Sequence, residues 1–245
     1  FGAVTFPGFL YDKKVVSIKE SAFVNQQQIT SVKVPSTMIK IADSAFKDCI
    51  NLQKITIVKG VKIIGNKTFM GCENLMNVEN NSIEVVGSEA FENCINLRRM
   101  NFDENIKIIE DMAFKGCVNL SDVKMLDTVE IIGAEAFKDC SELMWTSWFR
   151  NLKILGNNAF ENCVNLLIFN SPTNLISIGA RAFKGCKNLA LIGYLSSLQS
   201  IGEEAFMGCS WIESLESLSN LKTLGARAFK GCEKLATVEY LSGLE

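Results

Sequence analysis

Ten phenylalanines recur in one register along the chain, and this periodicity predicts the architecture. Neighbouring phenylalanines are 23 residues apart, except for one interval of 22. The ten are Phe23, Phe46, Phe69, Phe91, Phe114, Phe137, Phe160, Phe183, Phe206 and Phe229. A fixed period between 20 and 50 residues is typical of a solenoid, in which identical units stack along one axis.

Other positions keep the same register as the phenylalanines. The residue five positions earlier is always branched and apolar, as in Ile64 and Ile132, and the residue six positions later is leucine or isoleucine. A unit of this length cannot bury these side chains alone, so stacked neighbours must bury them together in one continuous core.

Two short extended stretches are predicted in each unit. Residues six to eleven after the phenylalanine alternate apolar and polar, as from Leu120 to Met125, which indicates a half-buried strand. A second stretch precedes a recurring glycine, as from Val129 to Gly133, where either a positive φ or a close backbone approach is expected. The Ala-Phe-x-x-Cys run that follows is expected to form a compact or helical turn. We therefore expect about ten coils of 22–23 residues, with a parallel β-sheet on one face and short turns or helical turns on the other.

The repeat motif resembles a known family. Residues 178–189 read I-G-A-R-A-F-K-G-C-K-N-L, which is similar to the BspA-like, or Treponema-type, class of leucine-rich repeats, and the similarity covers essentially the whole chain. The resemblance implies a leucine-rich repeat solenoid that acts as a surface-exposed or secreted adhesin. It also implies host receptors or matrix proteins as partners.

Length and charge limit the remaining possibilities. We expect residues 1–245 to form a single solenoid, a fragment of a longer array without its caps. The net charge of −2 gives no broad attraction to nucleic acid or anionic membranes. No apolar run approaches the roughly 20 residues of a membrane-spanning helix, so no membrane insertion is expected within this segment.

The sequence predicts no catalytic, cofactor-binding or metal-binding site. The chain has no histidine, which removes the commonest general base and the Cys-His and Ser-His pairs of nucleophilic enzymes. All nine cysteines lie three residues after a phenylalanine, about one repeat apart, whereas zinc sites pair ligands two to four residues apart. A column of buried thiols and a partial set of disulfides both fit this register.

A candidate binding surface lies on the outward side of the predicted strands. The eighth position after the phenylalanine is polar in most repeats, as at Arg99 and Asp122, but reads Trp145, Ile168 and Leu191 in three successive repeats. An apolar stripe on a face that should contact water suggests a partner. Because Thr146 is polar at the neighbouring core position, a slip of one residue would instead turn Trp145 inward.

The twelfth position adds a second apolar column that includes Phe149. Two orientations are open for it: outward, where it would extend the binding surface, or back toward the core.

Because the sequence predicts no enzyme site, we predict a non-enzymatic protein–protein interaction module that is displayed at the cell surface or secreted. The alternative is an intracellular, cytoplasmic scaffold or cytoskeleton-associated protein, which many unpaired thiols would suit.

Overall fold

The chain forms a parallel β-solenoid whose coils stack along one axis, as the repeat predicts. The computed structural model describes residues 2–80, 82–124, 127–146, 149–170, 172–215 and 218–238. No helix occurs in this part of the chain. The solenoid with a parallel sheet that the sequence predicts is confirmed.

The coils are built from very short strands. In chain order these are β1 (Ala3–Thr5), β2 (Phe9–Leu10), β3 (Lys13–Lys14), β4 (Ser17–Ile18), β5 (Ser31–Val34), β6 (Lys40–Ile41), β7 (Lys54–Ile57), β8 (Ile63–Ile64), β9 (Asn77–Asn80), β10 (Val85–Val86), β11 (Arg99–Asn101), β12 (Ile108–Ile109), β13 (Asp122–Lys124), β14 (Ile131–Ile132), β15 (Trp145–Thr146), β16 (Ile154–Leu155), β17 (Ile168–Phe169), β18 (Ser177–Ile178), β19 (Leu191–Ile192), β20 (Ser200–Ile201), β21 (Ser214–Leu215), β22 (Thr223–Leu224) and β23 (Thr237–Val238).

Two parallel sheets run along the solenoid. The front sheet has nine strands in the order β1-β5-β7-β9-β11-β13-β15-β17-β19, and the back sheet has ten, from β4 through the even-numbered strands to β22. Strands β21 and β23 pair in parallel, and β2 and β3 form an antiparallel hairpin near the N-terminus. Each coil therefore contributes to a second continuous sheet, and not to turns alone, outside the front sheet.

The turn around each phenylalanine is not helical because left-handed residues interrupt it. Around Phe46, Ser44 and Asp48 have φ values of 55° and 58°. The N–H groups of Ser44, Phe46 and Asp48 donate to carbonyls of the next coil, at 2.7, 2.9 and 2.7 Å. A helix would direct these N–H groups to carbonyls of its own coil, so here the turn contributes to stacking instead.

The phenylalanine rings form one column through the core. From Phe23 to Phe229, neighbouring ring centroids are 5.2 to 5.6 Å apart and the rings lie within 17° of parallel. This spacing corresponds to offset stacking, which aromatic rings prefer over direct overlap. Phe6 closes the N-terminal end of the column by packing edge-on against Phe23 at 5.6 Å.

The recurring glycine is required by close approach and not by its φ angle. At Gly133 a Cβ would lie 2.4 Å from the Asp111 Oδ1 and 2.6 Å from the Asp111 N of the preceding coil, and its φ is outside the left-handed region. Neighbouring coils therefore approach too closely at this corner to leave room for a side chain.

The shorter, 22-residue interval does not disturb the core. Val86 and Phe91, which follow the missing residue, are both fully buried. Ser82 takes up the tighter turn with a φ of 94°. The buried columns therefore continue through this coil.

A buried carboxylate connects three successive coils near the C-terminal end. Glu204 contacts Lys184 Nζ at 2.9 Å and Arg181 Nε at 3.1 Å through Oε2, and Arg227 Nη2 at 3.2 Å through Oε1. Hydrogen bonds from Lys184 and then Arg181 lower the pKa of Glu204 to about 2.

We expect Phe137→Ala to lower the free energy of unfolding by about 3–5 kcal/mol, because it leaves a cavity between two stacked rings. Urea denaturation followed by circular dichroism measures the change. Phe9→Ala is the matched control, since Phe9 is exposed on the hairpin, and it should change the free energy by less than about 0.5 kcal/mol. Equal effects of the two substitutions would contradict the stacked core.

Glu204→Gln should destabilise the protein in a pH-dependent way. Because the folded pKa is about 2 and the usual value is 4.5, the ionised group stabilises the fold above pH 4.5, and this contribution is lost as the pH falls toward 2. The difference in unfolding free energy between wild type and variant should therefore become smaller as the pH falls from 4.5 to 2. Glu73→Gln, at an exposed carboxylate without an ion pair in the described structure, is the control; a difference independent of pH would contradict the argument.

Candidate protein-binding surface

The structure brings five of the six predicted site residues into one row on the front sheet. Parallel pairing places Arg99 opposite Asp122, Asp122 opposite Trp145, Trp145 opposite Ile168, and Ile168 opposite Leu191. Leu191 is 53% exposed, Ile168 and Asp122 are half-buried, and Arg99 is exposed. The side chains of Trp145 and Thr146 lie outside the described part of the chain, so the orientation of Trp145 stays a prediction.

Phe149, the sixth predicted residue, does not belong to this surface. Its side chain is only 1% exposed, and its ring packs 5.0 Å from the ring of Phe169. Strands β17 and β19 are two residues long, so strand alternation ends before the twelfth position and the chain turns back into the core. Pro172, Leu195 and Leu218 are buried at the same position. Of the two orientations left open for this column, the inward one is observed, and the assignment of Phe149 to the binding surface is wrong.

An open apolar groove of about 470 Å³ lies at the C-terminal half of the row. It is lined by Leu167, Ile168, Asn188, Ala190, Leu191 and Trp211. Trp211 is 50% exposed, and the Nζ of Lys234 lies 3.4 Å from its ring centroid. We call these six residues the front groove; an aromatic side chain beside exposed aliphatic ones is the composition enriched where proteins bind other proteins.

Sequence reasoning missed four members of the front groove, namely Leu167, Asn188, Ala190 and Trp211. Leu167 and Ala190 occupy the seventh position after the phenylalanine. Because this column mixes polar residues such as Gln53 with apolar ones such as Met76, comparison of the column does not single them out. Trp211 replaces the asparagine that precedes the strand in most repeats, but packing on the neighbouring coil could equally explain it. Its position at the edge of the groove follows only from the coil geometry.

The other half of the row carries cations. Arg98 and Arg99 line a second groove of about 520 Å³ with Met76, Asn77 and Ser121. Neither arginine forms an ion pair with another described residue, whereas Lys54 of β7 pairs with Glu79 at 2.7 Å. The front face is therefore basic toward one end and apolar toward the other.

The nine cysteines form a column of free thiols beside the rings. Each Sγ–H donates to the carbonyl of the phenylalanine one coil earlier; for Cys140 the acceptor is Phe114 O at 3.1 Å. Eight are buried and Cys232 is half-buried. Burial raises the pKa of Cys140 well above its ordinary value and that of Cys232 to about 11. Because the thiolate is the reactive form, these side chains are structural and poorly nucleophilic.

Within the described residues, no cluster of three side chains could hold a metal ion. In the same part of the chain, no helix is long and apolar enough to cross a membrane.

Comparison with known proteins identifies the repeat. A family model described as BspA type leucine rich repeat region matches residues 16–144 and 153–245. A leucine rich cell surface protein from Faecalibacterium prausnitzii is similar in structure, with 22% identity and a TM-score of 0.56, covering 98% of this chain and 87% of that one. The leucine rich repeat protein of T. pallidum is also similar, with 23% identity, a TM-score of 0.52, and coverage of 84% and 78%. No curated protein matches the sequence significantly.

We expect the native protein to react with a thiol reagent such as DTNB at one site at most, Cys232, because the other thiols are buried and un-ionised. Unfolding in guanidinium chloride without a reductant should expose all nine thiols. A native Cys232→Ala variant should show almost no rapid reaction. Fewer than nine titratable thiols in the unfolded, unreduced protein would reveal disulfides and contradict the thiol column.

Proposed function

Since the chain belongs to the BspA-type leucine-rich repeat family, we propose that it is a non-enzymatic module that binds a protein partner on its front sheet. The observation that carries this proposal is the front groove, which replaces a polar row with exposed apolar side chains. Exposed apolar patches rimmed by polar residues mark interaction sites on soluble proteins. A rigid solenoid also presents such a patch without ordering a loop on binding.

The partner we propose is a protein that combines apolar and acidic groups. Leu191 and Trp211 would supply desolvated contacts, which dominate the energy of most interfaces. Arg98 and Arg99, four strands from Leu191, form no ion pair with another described residue; they would attract carboxylates and orient the partner along the face. Asp122 lies between the two regions and disfavours an acidic group at the centre. The same mixture of positive and negative side chains disfavours a nucleic acid as the partner.

We further propose that the module is displayed at the cell surface or secreted, as an adhesin-like protein that binds host or matrix proteins. The similar protein from F. prausnitzii is described as a cell surface protein, which supports this assignment by analogy. Residues 1–245 would form a single solenoid, which is supported by the one cluster of buried apolar residues that extends from Ile18 to Ala228.

An intracellular scaffold is the second candidate, and the thiols favour it. Nine free thiols are typical of a reducing compartment, where disulfides do not form. Their burial would also protect them outside the cell, so the thiols do not decide between the two locations. Protease treatment of intact cells separates them, because only a surface-displayed chain is cleaved.

Leu191→Glu should weaken binding to a matrix protein at least ten-fold, because it places a charge in the front groove. Biosensor measurements would use immobilised fibronectin and collagen as probes. Leu10→Glu is the matched control, since Leu10 is 57% exposed on the hairpin, and it should bind as wild type does. Circular dichroism should show both variants folded.

The possible failures are distinct. If the wild type binds neither probe, the matrix partner is wrong. If it binds and Leu191→Glu binds equally well, the front groove is not the site. If Leu10→Glu is as weak as Leu191→Glu, the loss is a general effect of added charge.

A further inference from the structure

The back sheet carries an apolar stripe that the proposed function does not use. The stripe consists of Ile63, Val85, Ile108, Ile131 and Ile154, which lie opposite one another on consecutive strands. Ile63 is 40% exposed and Ile154 is 49% exposed, and the three between them are half-buried. Other strands of the back sheet have serine, lysine or threonine at the same position. We call these five residues the back stripe; at about 4.8 Å per strand it is about 19 Å long.

A row of alternating charges borders the back stripe. The residue before each stripe residue is, in order along the solenoid, Lys62, Glu84, Lys107, Glu130 and Lys153. Lys62 contacts Glu84, and Lys153 contacts Glu130 at 2.7 Å. Lys107, at the centre, has no ion-pair partner among the described residues.

The other side of the back stripe is the corner that follows each strand. Two positions after the stripe residues stand Gly65, Gly87, Glu110, Gly133 and Gly156. The glycines lie against the preceding coil, and the carboxylate of Glu110 accepts a hydrogen bond from the Ser88 hydroxyl at 3.0 Å. A flat apolar strip with charges along one side fits another sheet better than a single inserted side chain.

We propose that the back stripe pairs with the back stripe of a second copy of this chain. A two-fold axis parallel to the strands, between two facing back sheets, reverses the order of the coils and keeps the two charged rows on the same side. When this axis passes between adjacent coils, on either side of Lys107, each lysine at the centre faces a glutamate. The central pairing is then Lys107 with Glu84 or with Glu130 of the second copy.

The alternating row is what favours a second copy over another protein. A row of one sign would need a partner of opposite sign, but an alternating row is complementary to its own reverse when shifted by one coil. An isologous contact of this kind is the commonest form of homodimer. It would also give Lys107 a carboxylate at ion-pair distance, which none of the described residues supplies.

The predicted dimer is weak. Stable interfaces bury about 800 Å² on each partner, and a stripe about 19 Å long covers only part of that area. Pairing through the back sheets would leave both front sheets facing outward in opposite directions. The dimer would then bind a multivalent partner through two front grooves, and its avidity would exceed the affinity of one groove.

Sedimentation velocity over a range from about 10 to 500 µM tests for such a weak dimer. We expect the sedimentation coefficient of the wild type to rise with concentration, and Ile108→Glu to weaken association at least ten-fold. Ser200→Glu is the matched control, because it adds the same charge at the same strand position outside the back stripe. A wild type that is monomeric throughout, or a variant Ile108→Glu that associates like wild type, would overturn the proposal.

Charge reversal tests the pairing itself. Lys107→Glu should associate less than wild type, and so should Glu84→Lys or Glu130→Lys, whichever faces it. Mixing the Lys107→Glu chain with that acid-reversed chain should restore association, because both central contacts of the mixed dimer again join opposite charges. Recovery with one of the two mixtures identifies the register, and recovery with neither overturns the alternating-charge pairing.

Discussion

No coil of this protein completes its own core or its own hydrogen bonds, and the whole structure depends on that incompleteness. Each phenylalanine ring stacks on the next at 5.2 to 5.6 Å, each thiol donates to the carbonyl of the coil before it, and the turn N–H groups donate to the coil after it. The stability of the protein is therefore a sum of contacts between neighbouring coils, as in other solenoids. A rigid and repetitive surface follows, on which single outward positions can vary freely.

The repeat made most of the fold predictable, because every inward position is reinforced several times. The two extended stretches, the buried phenylalanine column and the unbroken core across the shorter coil all followed from register. The turn could not be predicted as readily. Residues such as Ser44 and Asp48 adopt left-handed backbone only because the neighbouring coil accepts their N–H groups, and this is an inter-coil effect that a local pattern does not contain.

The site was predictable only where strand alternation applies. Arg99, Asp122, Ile168 and Leu191 lie on strands, and their register placed them in one row. Phe149 lies beyond a strand of two residues, where alternation no longer determines orientation. The back stripe was visible as paired branched residues, such as Ile131 and Ile132, but an apolar pair reads equally well as two core positions. Only the sheet shows that the first of the two faces outward.

The repeated hydrogen bonds between coils also bear on how such a chain can change over time. Every junction has the same pattern of donors and acceptors; between the coils of Phe46 and Phe69, the Phe46 N–H donates forward to Thr68 O and the Gly65 N–H donates back to Ile41 O. An in-frame duplication or loss of one repeat therefore creates a junction with the same donors and acceptors as the old one. The gene can gain or lose whole coils without a new packing problem, and can thereby alter the length of the exposed faces while keeping the core.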